Sequence, residues 1–334
     1  MRIPAGNRGR LTLSGVMLTA LCACALPVYS ADWRPEKRIE IVVPNAPGGG
    51  NDRIARMVQK IIQENRLVDV VTTVVNKPGG GQVVGLTYLN QHAGDGHYMG
   101  INSVSFVANY ITGHSPISHT DVVPIALLFT EYVGFAVRPE SKVKTGRDLM
   151  AMLSADAGSI STAISGSIGN HNYVALGAVT RAAGGDLKKL KVAVFNSGHE
   201  SMTALLGGHV DLLVAPAATT LPQVQAGKLR FIAITAPRRL EGALSEVPTW
   251  RELGANAVVD NWRIMLGPRG MTPQQAAYWD NVFAKVVETA EWKTMLERDL
   301  LSNDFRRSGE ARAYLNTQYE ELRAVLGAFG LAKP

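Results

Sequence analysis

Short apolar strand patterns alternate with helical patterns along most of this 334-residue chain, and that alternation predicts an α/β fold of mostly parallel sheets. Two further observations sharpen the expectation. Glycine-rich turns stand where strand gives way to helix, at 47–50 and again at 79–81, and from Thr272-Pro273 onward the helical period takes over. Roughly 300 residues follow the N-terminal segment, enough at 46% hydrophobic for two lobes with packed cores.

Residues 1–30 read as a signal peptide. Arg2, Arg8 and Arg10 precede the apolar run 11–26, and Val28-Tyr29-Ser30 offers a cleavage point. Thr12, Ser14, Gly15 and Thr19 interrupt the run, which falls short of the roughly 20 apolar residues of a membrane span. Export is therefore expected. Both cysteines, Cys22 and Cys24, lie in this segment, so the processed chain needs no disulfide. Leu21-Cys22-Ala23-Cys24 is a loose lipoprotein box, and acylation of Cys24 stays open. Losing the three arginines takes 34 basic residues to 31 against 28 acidic ones, and the charge from +6 to +3. With no basic stripe interleaved with aromatics, nucleic acid is excluded as a partner.

The first strand, Ile39–Val43, runs into Pro44-Asn45-Ala46-Pro47-Gly48-Gly49-Gly50, where Asn51 or Asp52 can cap a helix carrying Ile54, Met57, Val58, Ile61 and Ile62. Asp52, beside Arg53 and Arg56, reads as structural. A second strand at 70–75 enters Asn76-Lys77-Pro78-Gly79-Gly80-Gly81-Gln82 and then a helix. Further strands are expected at 98–102, 121–129, 133–137, 159–164, Lys191–Phe195, 210–215, 229–235 and 262–266. Helices fill the gaps, among them 170–183, 201–206 and 308–326. Ala276, Trp279, Val282, Phe283 and Val286 share one helical face after Thr272-Pro273.

The glycine turns carry the chemistry. Glycines free the backbone for positive φ and expose N–H groups at helix starts, which suits an anion. Two more strand-to-helix turns, Ser165-Gly166-Ser167-Ile168-Gly169-Asn170 and Asn196-Ser197-Gly198, repeat the arrangement. A charge-assisted hydrogen bond gives roughly 1.5–3 kcal/mol, whereas micromolar binding needs about −8 kcal/mol. Three or four donors closing on one carboxylate meet that need.

Enzymatic readings fare worse. Gly79-Gly80-Gly81-Gln82-Val83-Val84-Gly85 misses the dinucleotide spacing, and Ser167 is one glycine short of a nucleophile elbow, although a hydrolase using it is one alternative. His92, His97, His114 and His119 lack metal-ligand spacing, so no metal or cofactor is expected. Trp262 and Arg263 open a returning strand; Trp262 either plugs a core or walls a cleft, and Arg263 either clamps a distal carboxylate or is solvated.

Over nearly the whole chain beyond the leader, the sequence resembles the solute-binding receptors of tripartite tricarboxylate transporters, the Bug family. Pro47-Gly48-Gly49-Gly50-Asn51-Asp52-Arg53-Ile54-Ala55-Arg56 is similar to that family's PGGxxDxxAR motif, and Asn76-Lys77-Pro78-Gly79-Gly80-Gly81 resembles its second glycine loop. Asp95-Gly96-His97-Tyr98 and Thr272-Pro273 follow in the family's order. The resemblance implies a type II periplasmic-binding-protein fold: two α/β lobes, 31–131 with 262–334 and 132–261, joined by two crossing strands, with the C-terminal helices on the first lobe. It implies a carboxylate held by the first two glycine loops through backbone N–H groups, with Ser165 to Asn170 and Asn196 to Gly198 contributed by the second lobe. Ser103 and Ala215, at the ends of two further strands, complete the expected ligand contacts with Trp262 and Arg263. A monomer that hands its ligand to integral membrane permease subunits is implied, an exported sensor signalling to a two-component kinase being the alternative. The chain departs from the family at Asn170 (usually serine), Tyr173 (commonly histidine), Gln82 (frequently glycine) and Arg263 (typically neutral).

Overall fold

Apolar, β-branched runs form most of the parallel strands, and each stops at the asparagine, serine or proline that opens the next turn. A computed structural model describes residues 1, 33–166, 168–195 and 197–333. The signal-peptide expectation beyond Met1, with Cys22 and Cys24, and the ligand expectations for Ser167 and Asn196 lie outside the described residues.

The first set comprises β1 (Ile39–Val43), α1 (Gly50–Glu64), β2 (Thr72–Asn76), α2 (Val83–Gln91), β3 (Tyr98–Ser103), α3 (Val104–Ile111) and the long β4 (Val123–Val137). A second follows: α4 (Gly146–Ala155), β5 (Ser161–Ser165), α5 (His171–Ala182), β6 (Lys191–Phe195), α6 (Gly198–Leu206), β7 (Leu212–Pro216), α7 (Ala217–Gln225) and β8 (Arg230–Ile234). The chain closes with β9 (Asp260–Gly267), α8 (Pro273–Val286), α9 (Ala290–Arg298), β10 (Arg306–Arg307) and α10 (Ser308–Ala328).

Strand order is β2-β1-β3-β9-β4-β7-β5-β6, with β8 and β10 also paired to β4. The expected parallel pairing holds for β2-β1-β3 and for β6-β5-β7. β4 and β9 run antiparallel to their neighbours, because the chain crosses between the two parallel sets and returns. The two strands expected at 121–129 and 133–137 are one. Thr130, Glu131 and Tyr132 stay paired with Trp262, Asn261 and Asp260, so no break separates them.

That register positions the site. Ser103, the last residue of β3, lies opposite Arg263, and Arg263 lies opposite Phe129. Two residues beyond Glu131, Val133 lies opposite Pro216, the last residue of β7. The carboxyl ends of both parallel sets therefore converge on one short stretch of β4, where open α/β sheets place their ligands.

Alternation along β1 builds the core on both faces. Ile39, Ile41 and Val43 face a cluster holding Ile54, Ile61, Trp279, Phe283 and Trp292, whereas Val42 faces Phe106, Leu86 and Leu322. Thr272 caps α8 with Pro273 in its first turn, as the sequence indicates. The last helix departs from expectation: α10 packs on α3 and β4 but also on α5. Just beyond it, the Phe329 ring stands 4.9 Å from that of Tyr173. Among the described residues no helix is long and apolar enough to cross a membrane.

Candidate ligand site at the strand ends

The first glycine loop is held by side chains that the sequence assigned to capping or to ligand. Gly49, not Asn51 or Asp52, is the N-cap of α1, and no side chain caps it. Asp52, buried, accepts from the Gly48 N–H (2.9 Å), Arg56 Nε (3.0 Å) and Asn76 Nδ2 (2.9 Å). Burial pushes its carboxyl up, but the hydrogen bonds from Arg56, Gly48 and Asn76, with the Arg56 charge, hold it below the usual carboxylate range. Asn51 donates to Asn45 Oδ1 (2.7 Å), and Asn76 Nδ2 also donates to the Asn45 carbonyl (3.0 Å). The Asn51 amide therefore closes the first loop on itself, and the Asn76 amide ties the second loop to the first. The N–H groups of Gly50, Asn51 and Asp52 have no hydrogen-bond partner and remain available.

In the second loop Gly79, Gly80, Gly81 and Gln82 all have positive φ (132, 54, 60 and 78°). Only glycine adopts such values without penalty, which explains three of the four. Gln82 is the exception: it is buried, serves as the N-cap of α2 without a side-chain cap bond, and its Oε1 has no partner. Asn109 on α3 fixes this loop by donating to the Gly81 carbonyl (2.6 Å).

On the other side of the junction, the expected donors are largely occupied. Asn170 caps α5, accepting from the Tyr173 N–H (3.1 Å) and donating to the Ser165 carbonyl (2.6 Å). Gly166 (φ 98°) must be glycine, since a Cβ there would stand 2.6 Å from Asn170 Nδ2. Ser197 caps α6, which starts at Gly198 and not near 201. Ile168 is 43% exposed beside these turns, an apolar side chain free to face a ligand. Ala215 is buried in the core of β7. Trp262 is a core plug and not a cleft wall: it is fully buried and its Nε1 donates to Gln318 Oε1 (3.3 Å).

Arg263 is neither solvated nor free. Its guanidinium lies against the start of α1, with Nη2 3.5 Å from where a Cβ on Gly50 would stand. Nη1 donates to Asn261 Oδ1 (2.9 Å), and Nη2 donates to Glu131 Oε1 (3.3 Å). Asn261 Nδ2 also donates to Glu131 Oε1 and to His171 Nε2. Burial, with the nearby Arg263 charge, pulls His171 down to about 3, so its ring is neutral at physiological pH. Glu131, Asn261 and His171 were not singled out as ligand-site residues from sequence. One signal was available for Glu131, the sole charged residue in the run Val123–Val137.

Thr145, Asn170, Ser197, Thr272 and Thr289 close α4, α5, α6, α8 and α9, whereas α1, α2, α3 and α7 open with no side-chain cap hydrogen bond. α5 and α6, after β5 and β6, are capped and α10, after β10, has no side-chain cap hydrogen bond, but α1, α2, α3 and α7 follow β1, β2, β3 and β7, four of the strands whose carboxyl ends meet at the junction. Their free N–H groups and positive helix ends suit an anion. Among the described residues no His, Cys, Asp and Glu group could hold a metal ion. Surface depressions of about 390 and 320 Å³ lie elsewhere, around Tyr319 and Arg323 and around Asn90 and Arg269, and none of the expected ligand residues lines either.

The family model described as Tripartite tricarboxylate transporter family receptor matches residues 54–315. The chain belongs to that receptor family. Among its relatives, Protein BugT of Bordetella pertussis is 26% identical over 271 residues, covering 79% of this chain and 80% of that protein. A TctC solute-binding protein from Polaromonas has the same fold, with a TM-score of 0.75 and 22% identity over 88% of this chain and 99% of that one. So does R. palustris Rpa4515 with adipate, with a TM-score of 0.74 and 18% identity over 89% of this chain and 99% of that one. The type II periplasmic-binding-protein fold expected of this receptor is thereby the fold observed.

Proposed function

We propose that this receptor acts in the periplasm, capturing a small organic carboxylate between two α/β lobes, 31–131 with 262–334 and 132–261, and passing it to an integral membrane permease of the tripartite tricarboxylate type. It reaches that compartment through its N-terminal signal peptide, works as a monomer and performs no chemistry on its ligand. One observation carries the reading: four helices that begin at the converging strand ends, α1, α2, α3 and α7, have no side-chain cap. Adipate in the R. palustris neighbour supports an organic acid as the ligand class.

A thermal-shift screen of linear carboxylates against their neutral amides tests it. A ligand that binds only the folded form at 100 times its Kd stabilises by about 2.7 kcal/mol. At least one acid should raise Tm while its amide leaves it unchanged. A screen in which no acid acts, or in which amides act equally, would defeat the reading.

A further inference from the structure

We propose that Glu131 is the specificity residue of this site: by claiming Arg263, it makes the receptor take acids whose far end is neutral or cationic and refuse those ending in a second carboxylate. This rests on the carboxylate-receptor reading above and adds to it the class of acid.

Arg263 is the side chain at the junction that would attract a second carboxylate, and most of its hydrogen-bonding capacity is already used. Nη1 serves Asn261 Oδ1 and the carbonyls of Asn261 and Trp262, Nη2 gives one hydrogen to Glu131, and the buried Nε and the second Nη2 hydrogen have no partner. The ion pair is sheltered, with the Arg263 and Glu131 side chains 12% and 15% exposed. Asn261 braces it by donating to the same Glu131 oxygen.

Charge accounting then points to one class of ligand. Arg263 and Glu131 cancel, His171 is neutral, and Asp52 is matched by Arg56. What remains for a ligand is the partial positive charge of uncapped helix starts, about half a unit each. Two of them, α1 and α3, flank Arg263 and together match a single carboxylate. A second carboxylate would either face Glu131 or displace it from Arg263. Displacement leaves a sheltered anion without its cation, which is strongly unfavourable. Glu131 Oε2, meanwhile, has no hydrogen-bond partner and is not among the buried polar atoms, so it stands open as an acceptor. A hydroxyl or ammonium on the far end of the ligand would fit there.

Calorimetric titration of the whole protein with three six-carbon acids, hexanoate, 6-aminohexanoate and adipate, and with their four- and five-carbon homologues, separates the possibilities. The native protein should bind adipate at least tenfold more weakly than hexanoate or 6-aminohexanoate. Glu131→Gln, which keeps shape and hydrogen bonding, should shift the adipate-to-hexanoate ratio at least tenfold towards adipate. Glu131→Asp, which keeps the charge, should hold the ratio within threefold, and adding Arg263→Gln to Glu131→Gln should abolish the gain. Acids that bind with a ratio indifferent to Glu131→Gln would overturn the assignment of Glu131 alone, as would a native preference for adipate. If no acid of any length binds, the receptor reading falls and this inference falls with it.

Discussion

Gln82 sits in a backbone conformation that its residue type disfavours, and replacing it tests how the second loop is built. At φ 78° its Cβ crowds the backbone, at a cost of about 1–2 kcal/mol relative to glycine. Its buried, unpartnered Oε1 adds about 1–3 kcal/mol. Glycine removes both, but it gives back about 0.5–1 kcal/mol of chain entropy and about 1.6 kcal/mol for two buried methylenes. The net gain for Gln82→Gly is about 1 kcal/mol, or about 2 °C in Tm for a chain of this size. Gln82→Ala is the control, because it loses the same amide yet keeps the Cβ. On the same figures the relieved strain of about 1–2 kcal/mol is offset by the extra chain entropy of glycine and the one further buried carbon it gives up, about 1.5 kcal/mol together, so the glycine and alanine variants should unfold within about 1 kcal/mol of each other. An alanine variant more stable than the glycine variant by about 1.5 kcal/mol, the entropy and burial difference with no strain to offset it, would refute the strain argument.

Two other predictions concern how the halves meet. His171 is held neutral, so its contribution to stability is complete above its unfolded pKa near 6.5 and drains away as pH falls towards about 3. Between pH 7 and 5 the loss is at most about 2 kcal/mol; Tm of native protein should therefore drop against that of His171→Gln over that range, and parallel curves would contradict it. A Cβ on Gly177 would stand 1.6 Å from Phe329 Cζ, so Gly177→Ala should cost about 1–3 kcal/mol by overpacking. Phe329→Ala should recover much of that loss in the double variant, seen as non-additivity in denaturant titrations.

Local pattern made some elements legible and left others hidden. Ile39–Val43 followed by three glycines, and Thr272-Pro273 before an apolar helical face, announce themselves because their chemistry is local. α3 follows β3 without a glycine or proline between them, and Pro222 inside α7 reads as a break. The antiparallel crossing of β4 and β9 has no local signature, since it is decided by how the chain returns between the two sets. The glycine loops were readable as turns opening helices, but which side chains would be consumed in holding them was not. Asn51 and Asn76 resemble donors until their partners Asn45 and Asp52 are brought near. Arg263 resembles a free clamp until β4 brings Glu131 beside it.

The central claim is that backbone N–H groups at uncapped helix starts hold the ligand's carboxylate, and Gly50→Pro tests it at a single atom. Gly50 is the first residue of α1, where proline is well suited, and its N–H makes no hydrogen bond within the protein. The preceding Gly49, at φ −71° and ψ 170°, has the extended backbone that a following proline requires. The substitution should leave Tm unchanged or slightly raised while weakening binding of the best acid from the screen by roughly 10- to 150-fold, the equivalent of one charge-assisted hydrogen bond of about 1.5–3 kcal/mol. Full affinity in a folded Gly50→Pro protein would contradict the account.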